Sequence, residues 1–306
     1  MNDGGETIRR VAVLLNSGGG AIARAGCEAM RQQVVEACAR AGLDAVVMLV
    51  AGDEIAQAAS EAATQWDAVV VGGGDGTISA AAGALVDGKV PLGLLPLGTL
   101  NHFTRDLGIP ADLDGALAII AAGHVRRVDA AEVNGRVFVN NSSVGVYPAM
   151  VRDRERQQEA LGRSKRVAML LASFRALRHF RHRRLTVRAE GRSSPCVTPL
   201  VFVGNNDYSL AFPGIGERAR LDGGELCVYV VHGSGTRGLL RLAAKSLIGR
   251  VDADRDFDRL TGLASAEIDA RDARLSVAVD GEVVTMDTPL RYRTRPQALR
   301  VLAPAP

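Results

Sequence analysis

The chain has 306 residues, of which 47% are apolar, a globular composition long enough to bury the cores of two domains and unlike that of a disordered chain. A net charge of +3 selects no partner by itself, and no apolar run reaches the ~18 residues needed to cross a bilayer. The first residues, MNDGGETIRR, lack a signal-peptide stretch, and Cys27, Cys38, Cys196 and Cys227 are scattered without a CxxC pair. Reduced core cysteines and a cytoplasmic location are the expectation.

The first ~125 residues alternate strand and helix patterns. RVAVLLN (10–16) predicts a strand running into a Gly-rich loop, followed by one long Ala-rich helix to about Ala41. DAVVMLV (44–50) is a second strand, and the helix after it is expected to start at an Asp53 cap. DAVVV, from Asp67, is a third strand whose loop opens a helix near Thr77, and VPLGLLP is a fourth. Continuous Val/Leu runs imply strands covered on both faces, hence a mostly parallel α/β sheet with helices on both sides. After about Gly123 the pattern turns to β: RVFVNN, RRLTVRAE, TPLVFVGNN, GELCVYVV and RLSVAVDGEVV read as strands of a sandwich-like domain. Leu226, Val228 and Val230 share one face, as do Leu275, Val277 and Val279. The boundary is placed at 127/128: an α/β domain over 1–127 and a β-rich domain over 128–289. Ligands of such sheets sit at the carboxyl ends of the strands, so a cleft between the halves is the expected site.

Three polar loops should meet at that sheet edge: NSGGG (16–20), GGGDGT (72–77) and PLGTLN (96–101). Glycines let backbone approach an anion, and the helix start beyond them offers N–H groups and the positive dipole end. GGGDGT fits neither the GxGxxG spacing nor the Lys-bearing phosphate loop. A carboxylate among those glycines, Asp75, would repel bare phosphate, whereas a bound Mg²⁺ makes it a ligand. Pro96 and Gly98 enforce a tight turn that presents Thr99 and Asn101. Asp280-Gly281 between two strands is a hairpin signal, and the same turn can present the carboxylate of Glu282.

These loops, together with FVNNSSVGV, VGNN, ARLDGGELCVYVV and VDGE, resemble the diacylglycerol kinase catalytic-domain family over nearly the whole chain. The Gly-Asp-Gly-Thr loop is shared with NAD kinases and phosphofructokinases; the PxGTxNxF element with the late DGE is far more specific. The resemblance implies an ATP-binding α/β domain to which the last strand (290–306 here) returns, and a β-sandwich for a lipid substrate. It implies that Asn16, Ser17, Gly18, Gly19, Gly20, Gly72, Gly73, Gly74, Asp75, Gly76, Thr77 and Thr99, with Asn101, contact ATP or its Mg²⁺. It implies Glu282 as general base toward a lipid hydroxyl, alongside Asp75 as the second catalytic residue.

Two positions depart from the family pattern. His102 stands where many members have Asp, and Gly223 interrupts a pair of acids. The structural metal network is therefore either lost or rebuilt from Asp222, Glu225 or Asp106.

Residues 152–188 hold 12 Lys+Arg against 3 Asp+Glu, and Arg237, Arg241 and Lys245 lie four apart in TRGLLRLAAKSLIGR. Such excess fits peripheral attachment to an anionic membrane surface, at about 1 kcal/mol per cation. No aromatic-interleaved basic platform points to nucleic acid. An edge-strand homodimer stays open. So do two other functions: an NAD kinase-like enzyme for a soluble substrate, and a catalytically silent lipid- or nucleotide-binding regulator.

Overall fold

The computed structural model describes residues 7–145, 183–209, 216–231 and 257–305. Both basic stretches singled out in the sequence therefore lie outside the described residues, apart from 183–188. The chain forms two compact units, residues 1–130 with 295–306 and residues 131–294.

In the first unit the chain runs β1 (Arg10–Asn16), α1 (Gly20–Ala25), α2 (Cys27–Arg40), β2 (Asp44–Val50), α3 (Ile55–Ala62), β3 (Ala68–Gly73), α4 (Asp75–Leu85), β4 (Leu92–Pro96), α5 (His102–Asp106) and α6 (Leu113–Ala122). β5 (Val125–Val133) then leads into the second unit. The expected long helix is broken at Gly26, whose φ of +87° is helix-incompatible and open to glycine alone at little cost. α3 starts at Ile55 beyond Glu54, so Asp53 is not its cap. α4 starts at Asp75, two residues before the expected Thr77.

The strand order is β2-β1-β3-β4, with parallel pairs Ala12↔Val46, Val13↔Val70 and Val71↔Leu94. β1, β3 and β4 are buried almost throughout, as the Val/Leu runs require. β2 is the exception. It is an edge strand with Val46 and Leu49 exposed on opposite faces, so neither of its faces is covered as fully as those of the inner strands.

The second unit adds β6 (Arg136–Phe138), β7 (Asn141–Gly145), β8 (Arg183–Ala189), β9 (Arg192–Thr198), β10 (Leu200–Asn205), β11 (Leu226–Val231), β12 (Phe257–Leu263), β13 (Ser265–Ala270), β14 (Arg274–Val279), β15 (Glu282–Asp287) and β16 (Leu290–Leu302). β12-β11-β10-β7-β14-β15 form one antiparallel sheet, facing a layer that contains β16-β13-β8-β9. Leu226, Val228, Val230, Leu275, Val277 and Val279 meet Leu185, Val187, Ile268 and Tyr292 in a single core. That is a β-sandwich, and the faces assigned from period-2 alternation are the buried ones. RVFVNN is not one strand: β6 ends at Phe138 and β7 starts at Asn141. β11 is buried on both faces, because Cys227 and Tyr229 pack on the outer side with Tyr208. The 13-residue β16 begins against β13 and ends in the first unit, where Val301 pairs in parallel with Leu92 of β4.

Candidate active site

In the first unit the topology selects one place. The chain leaves β1 toward β2, then crosses to β3 on the other side of β1. The connections diverge there, and the crevice at the carboxyl ends of β1 and β3 is where open α/β sheets bind ligands. The loops Asn16–Gly20 and Gly74–Thr77 leave those two strand ends.

Their contacts explain the glycines. A Cβ on Gly72 would lie 2.5 Å from Leu15 Cδ2, and one on Gly73 2.6 Å from Thr77 Oγ1. A Cβ on Gly98 would collide with Asn101 Oδ1 and sit 2.6 Å from the Gly74 Cα. The β4–α5 loop therefore touches the β3–α4 loop backbone to backbone. Asn16 donates from Nδ2 to Thr77 Oγ1 at 2.8 Å, and its Oδ1 accepts from the Gly18 N–H at 3.0 Å. One side chain thus ties the first loop to α4. Ser17 donates to the Val50 carbonyl, and Gly19 and Gly20 open the short α1.

Asn101 has a left-handed backbone, φ +51°. Its carboxamide accepts from Gly98 N–H at 3.0 Å and donates to the Pro96 carbonyl at 3.0 Å, so it shapes its own loop. Thr99 is exposed at the turn tip and Thr77 is buried. His102 opens α5.

Asp75 is the first residue of α4, behind Gly74, which provides no side-chain cap. A carboxylate there is favourable to the helix itself. Its Oδ1 faces the Phe103 N–H at 3.5 Å, a long contact that leaves capacity for a cation. The glycine-lined backbone and uncapped helix start fit a polyphosphate. One half-buried carboxylate fits Mg²⁺, which takes one or two carboxylates plus phosphate oxygens.

In the second unit, Asp280 and Gly281 have φ +45° and +87°, the hairpin turn between β14 and β15. Glu282 follows, more than half exposed, and its Oε2 accepts from Arg136 Nη2 at 2.5 Å. Asp280 itself is buried. Its Oδ2 accepts from Val139 N–H at 2.8 Å, and its Oδ1 from Asn140 and Asn141 N–H at 2.9 Å each. Asn140, Asn205, Asn206 and Arg218 of the same unit are buried as well.

The Gly223 N–H donates to Asn206 Oδ1 at 2.9 Å, where a Cβ would come within 2.7 Å of that oxygen. Asp222 meets Arg220 at 3.3 Å, and Glu225 is half-buried nearby in sequence. Among the described residues no three His, Cys, Asp or Glu side chains stand within reach of one ion. Among those residues Asp222 and Glu225 gain no third His, Cys, Asp or Glu as a partner.

Sequence reading missed Asp280, Arg218 and Arg136. The Asp-Gly pair signalled a turn but not the three N–H groups it holds 139–141 residues away in sequence. Nothing local marks Arg218.

Elsewhere in this unit, Asp207 accepts from Tyr229 Oη at 2.6 Å and pairs with Arg259. Burial first, then this carboxylate, push the Tyr229 hydroxyl up. Burial likewise pushes the Cys227 thiol up to about 12.

The class defined by this fold is an α/β domain joined to a kinase-type β-sandwich, and comparison with known proteins gives it a family. Residues 10–133 match the diacylglycerol kinase catalytic domain, and residues 142–303 match the YegS C-terminal NAD kinase beta sandwich-like domain. The chain belongs to the diacylglycerol kinase catalytic-domain family. It is 42% identical over 102 residues to the "Probable lipid kinase YegS" of Salmonella arizonae, covering 31% of this chain and 34% of that one. It is 26% identical over 185 residues to a Staphylococcus aureus diacylglycerol kinase, covering 60% and 58%. These matches thus span between a third and three fifths of the relatives' lengths. A diacylglycerol kinase structure from Bacillus anthracis superposes with TM-score 0.69 at 21% identity, covering 98% of both chains. Yeast NADH kinase complexed with NADH superposes with TM-score 0.57 at 12% identity, covering 98% of this chain and 84% of that one. At these identities both likenesses concern the fold.

Proposed function

We propose that the protein is an ATP-dependent lipid kinase that transfers the γ-phosphoryl group to a lipid hydroxyl, diacylglycerol or a related lipid. The observation that carries the reading is the Gly74–Gly98 backbone approach beside the uncapped start of α4, at the crevice between β1 and β3. Such a surface favours a polyphosphate, since backbone N–H groups and the helix dipole meet negative charge without a side chain between them. Gly74, Gly76 and Gly98 supply the surface, buried Gly72 and Gly73 leave room behind it for Leu15 and Thr77, and Asn16 and Thr77 lock its two sides together. Gly18, Gly19 and Gly20 flank it, and Thr99 offers a hydroxyl from the neighbouring turn. Asp75 is the ligand for Mg²⁺, with Asp222 and Glu225 kept as candidates for a second site completed by water. The metal, when bound, neutralises charge on the transferring phosphoryl group.

Glu282 is the general base. Its carboxylate takes the lipid hydroxyl proton as the new O–P bond forms and the bond from the γ-phosphorus to the bridging oxygen of ADP breaks. Arg136 Nη2 donates to Oε2 and orients that carboxylate in the resting enzyme. No helix among the described residues is long and apolar enough to cross a membrane. The reading includes peripheral attachment to the cytoplasmic face of an anionic membrane, which the 12 Lys+Arg against 3 Asp+Glu in the sequence 152–188 support.

Nucleotide binding and label transfer to extracted lipids, measured on Asp75→Asn and Glu282→Gln, test the roles separately. Asp75→Asn weakens Mg-ATP binding; Glu282→Gln keeps it and loses transfer. Unchanged transfer in Glu282→Gln overturns its assignment as base. The likeness to yeast NADH kinase motivates one alternative, phosphorylation of a soluble dinucleotide. Nucleotide binding with no turnover on any acceptor would instead mark a silent regulator.

A further inference from the structure

Arg218 is 6% exposed, and a guanidinium cannot shed its charge, so its burial needs a structural return. Nη1 donates to the Val139 carbonyl at 2.6 Å and the Asn205 carbonyl at 3.2 Å, and Nη2 donates to Asn140 Oδ1 at 2.8 Å. The ring of Tyr208 lies 5.3 Å below the guanidinium.

Two of its three hydrogen-bonded partners, Val139 and Asn140, are among the residues that Asp280 holds. Residues 139–141 present their N–H groups to Asp280, while Val139 O and Asn140 Oδ1 face Arg218. Asn205 closes the brace, donating from Nδ2 to Val139 O at 3.0 Å and from its N–H to Asn140 O at 2.9 Å. A buried cation and a buried anion thus hold different polar groups of one short segment, the anion its N–H groups and the cation Val139 O and Asn140 Oδ1. Asp280 also opens the turn that delivers Glu282, and its own N–H donates to Asn141 O at 2.9 Å.

We infer that Arg218 is a positioning residue for the phosphoryl-transfer step: through residues 139–141 and Asp280 it fixes the hairpin that carries Glu282. The inference rests on Glu282 being the base of the proposed lipid kinase. A placement error of about 1 Å at a reacting group costs on the order of a hundredfold in rate. Loosening this brace should therefore appear in kcat and leave nucleotide binding alone, since the ATP loops belong to the other unit.

The test compares Arg218→Met, which keeps length and loses every donor, with Arg218→Lys, which keeps charge. Each is read by steady-state kinetics and by amide hydrogen exchange. Expected for Arg218→Met is a kcat lowered by roughly 10- to 100-fold with KM for ATP within about twofold. Arg218→Lys should recover part of that loss. Amides of residues 139–141 should exchange at least tenfold faster in Arg218→Met, with β4 amides unchanged. A raised KM at constant kcat, or uniformly faster exchange across the chain, overturns the positioning role. So does unchanged protection at 139–141. Absence of lipid turnover in the unsubstituted enzyme would instead refute the lipid-kinase reading, while local exchange at 139–141 would still report on the brace.

Discussion

Gly98→Ala is the sharpest perturbation of the nucleotide loops. Its added Cβ would sit 2.6 Å from the Gly74 Cα and collide with Asn101 Oδ1. Carbon atoms in contact normally stand about 3.5–4.0 Å apart, so the β4–α5 and β3–α4 loops must separate by about 1 Å. Neither neighbour yields cheaply. One is backbone at the start of α4, and the other is held by Gly98 N–H and the Pro96 carbonyl. Overpacking of this kind costs about 1–3 kcal/mol. The same opening shifts the phosphate-facing backbone, so the affinity for Mg-ATP should fall about 10- to 100-fold. Urea unfolding and calorimetric titration with Mg-ATP read the two effects. Gly20→Ala is the stability control: no atom lies within 4 Å of its Cβ, and its unfolding should stay within about 0.5 kcal/mol of the unsubstituted protein. A Gly98→Ala protein with unaltered urea midpoint and unaltered ATP affinity would refute the reasoning.

Asp280→Ala strands two buried N–H donors and one half-buried one, and about 3–5 kcal/mol of stability should be lost in urea unfolding. Asp280→Asn, which keeps one acceptor oxygen, should lose about half as much; a loss under about 1 kcal/mol for Ala would contradict the anchoring role. Burial raises the Cys227 thiol to about 12 and the Cys38 thiol to about 11, so both should resist DTNB at pH 8 until urea unfolds the chain. Because these folded values lie above an unfolded thiol's value of about 8.5, stability from both is intact below that pH. It should decline as pH rises toward the folded values, which alkaline unfolding curves of Cys227→Ala against the unsubstituted protein would show. Asp67 has the opposite sign: backbone N–H groups of Arg10 and Arg9 hold its carboxyl below the usual range. Its contribution, on the order of 0.5 kcal/mol at so exposed a site, is present above about pH 4 and fades as pH falls through the folded value. Asp67→Asn should therefore differ from the unsubstituted protein at pH 7 and converge with it in acid.

The parallel half of the fold was legible because β1, β3 and β4 are written in unbroken Val, Leu and Ala, which only a doubly covered strand sustains. β9 and β13 were not, since RSSPCVT and SAEIDA are short and largely polar; β9 is held as an edge strand by its hairpin partner β8, and β13 by β8 before it and β16 after it in the chain. β12 hides behind a Gly262 that interrupts its pattern. The glycine loops could be found because each follows an apolar strand run, and the contacts at Gly72, Gly73 and Gly98 supply the steric reason for three of the glycines. The position of Asp75 within α4 adds what spacing missed, that the carboxylate also suits the helix start. The grip of Arg218 and Asp280 on residues 139–141 was invisible, because the residues each holds there lie 78 residues or more away and no periodicity connects them.

The most direct measurement is the fate of label from γ-labelled ATP when a mixed bacterial lipid extract and NAD compete in one reaction with Mg²⁺. The account predicts label in the organic phase, abolished by Glu282→Gln and strongly reduced by Asp75→Asn. Label confined to the aqueous dinucleotide, or no transfer to either acceptor while ATP binds, would contradict it.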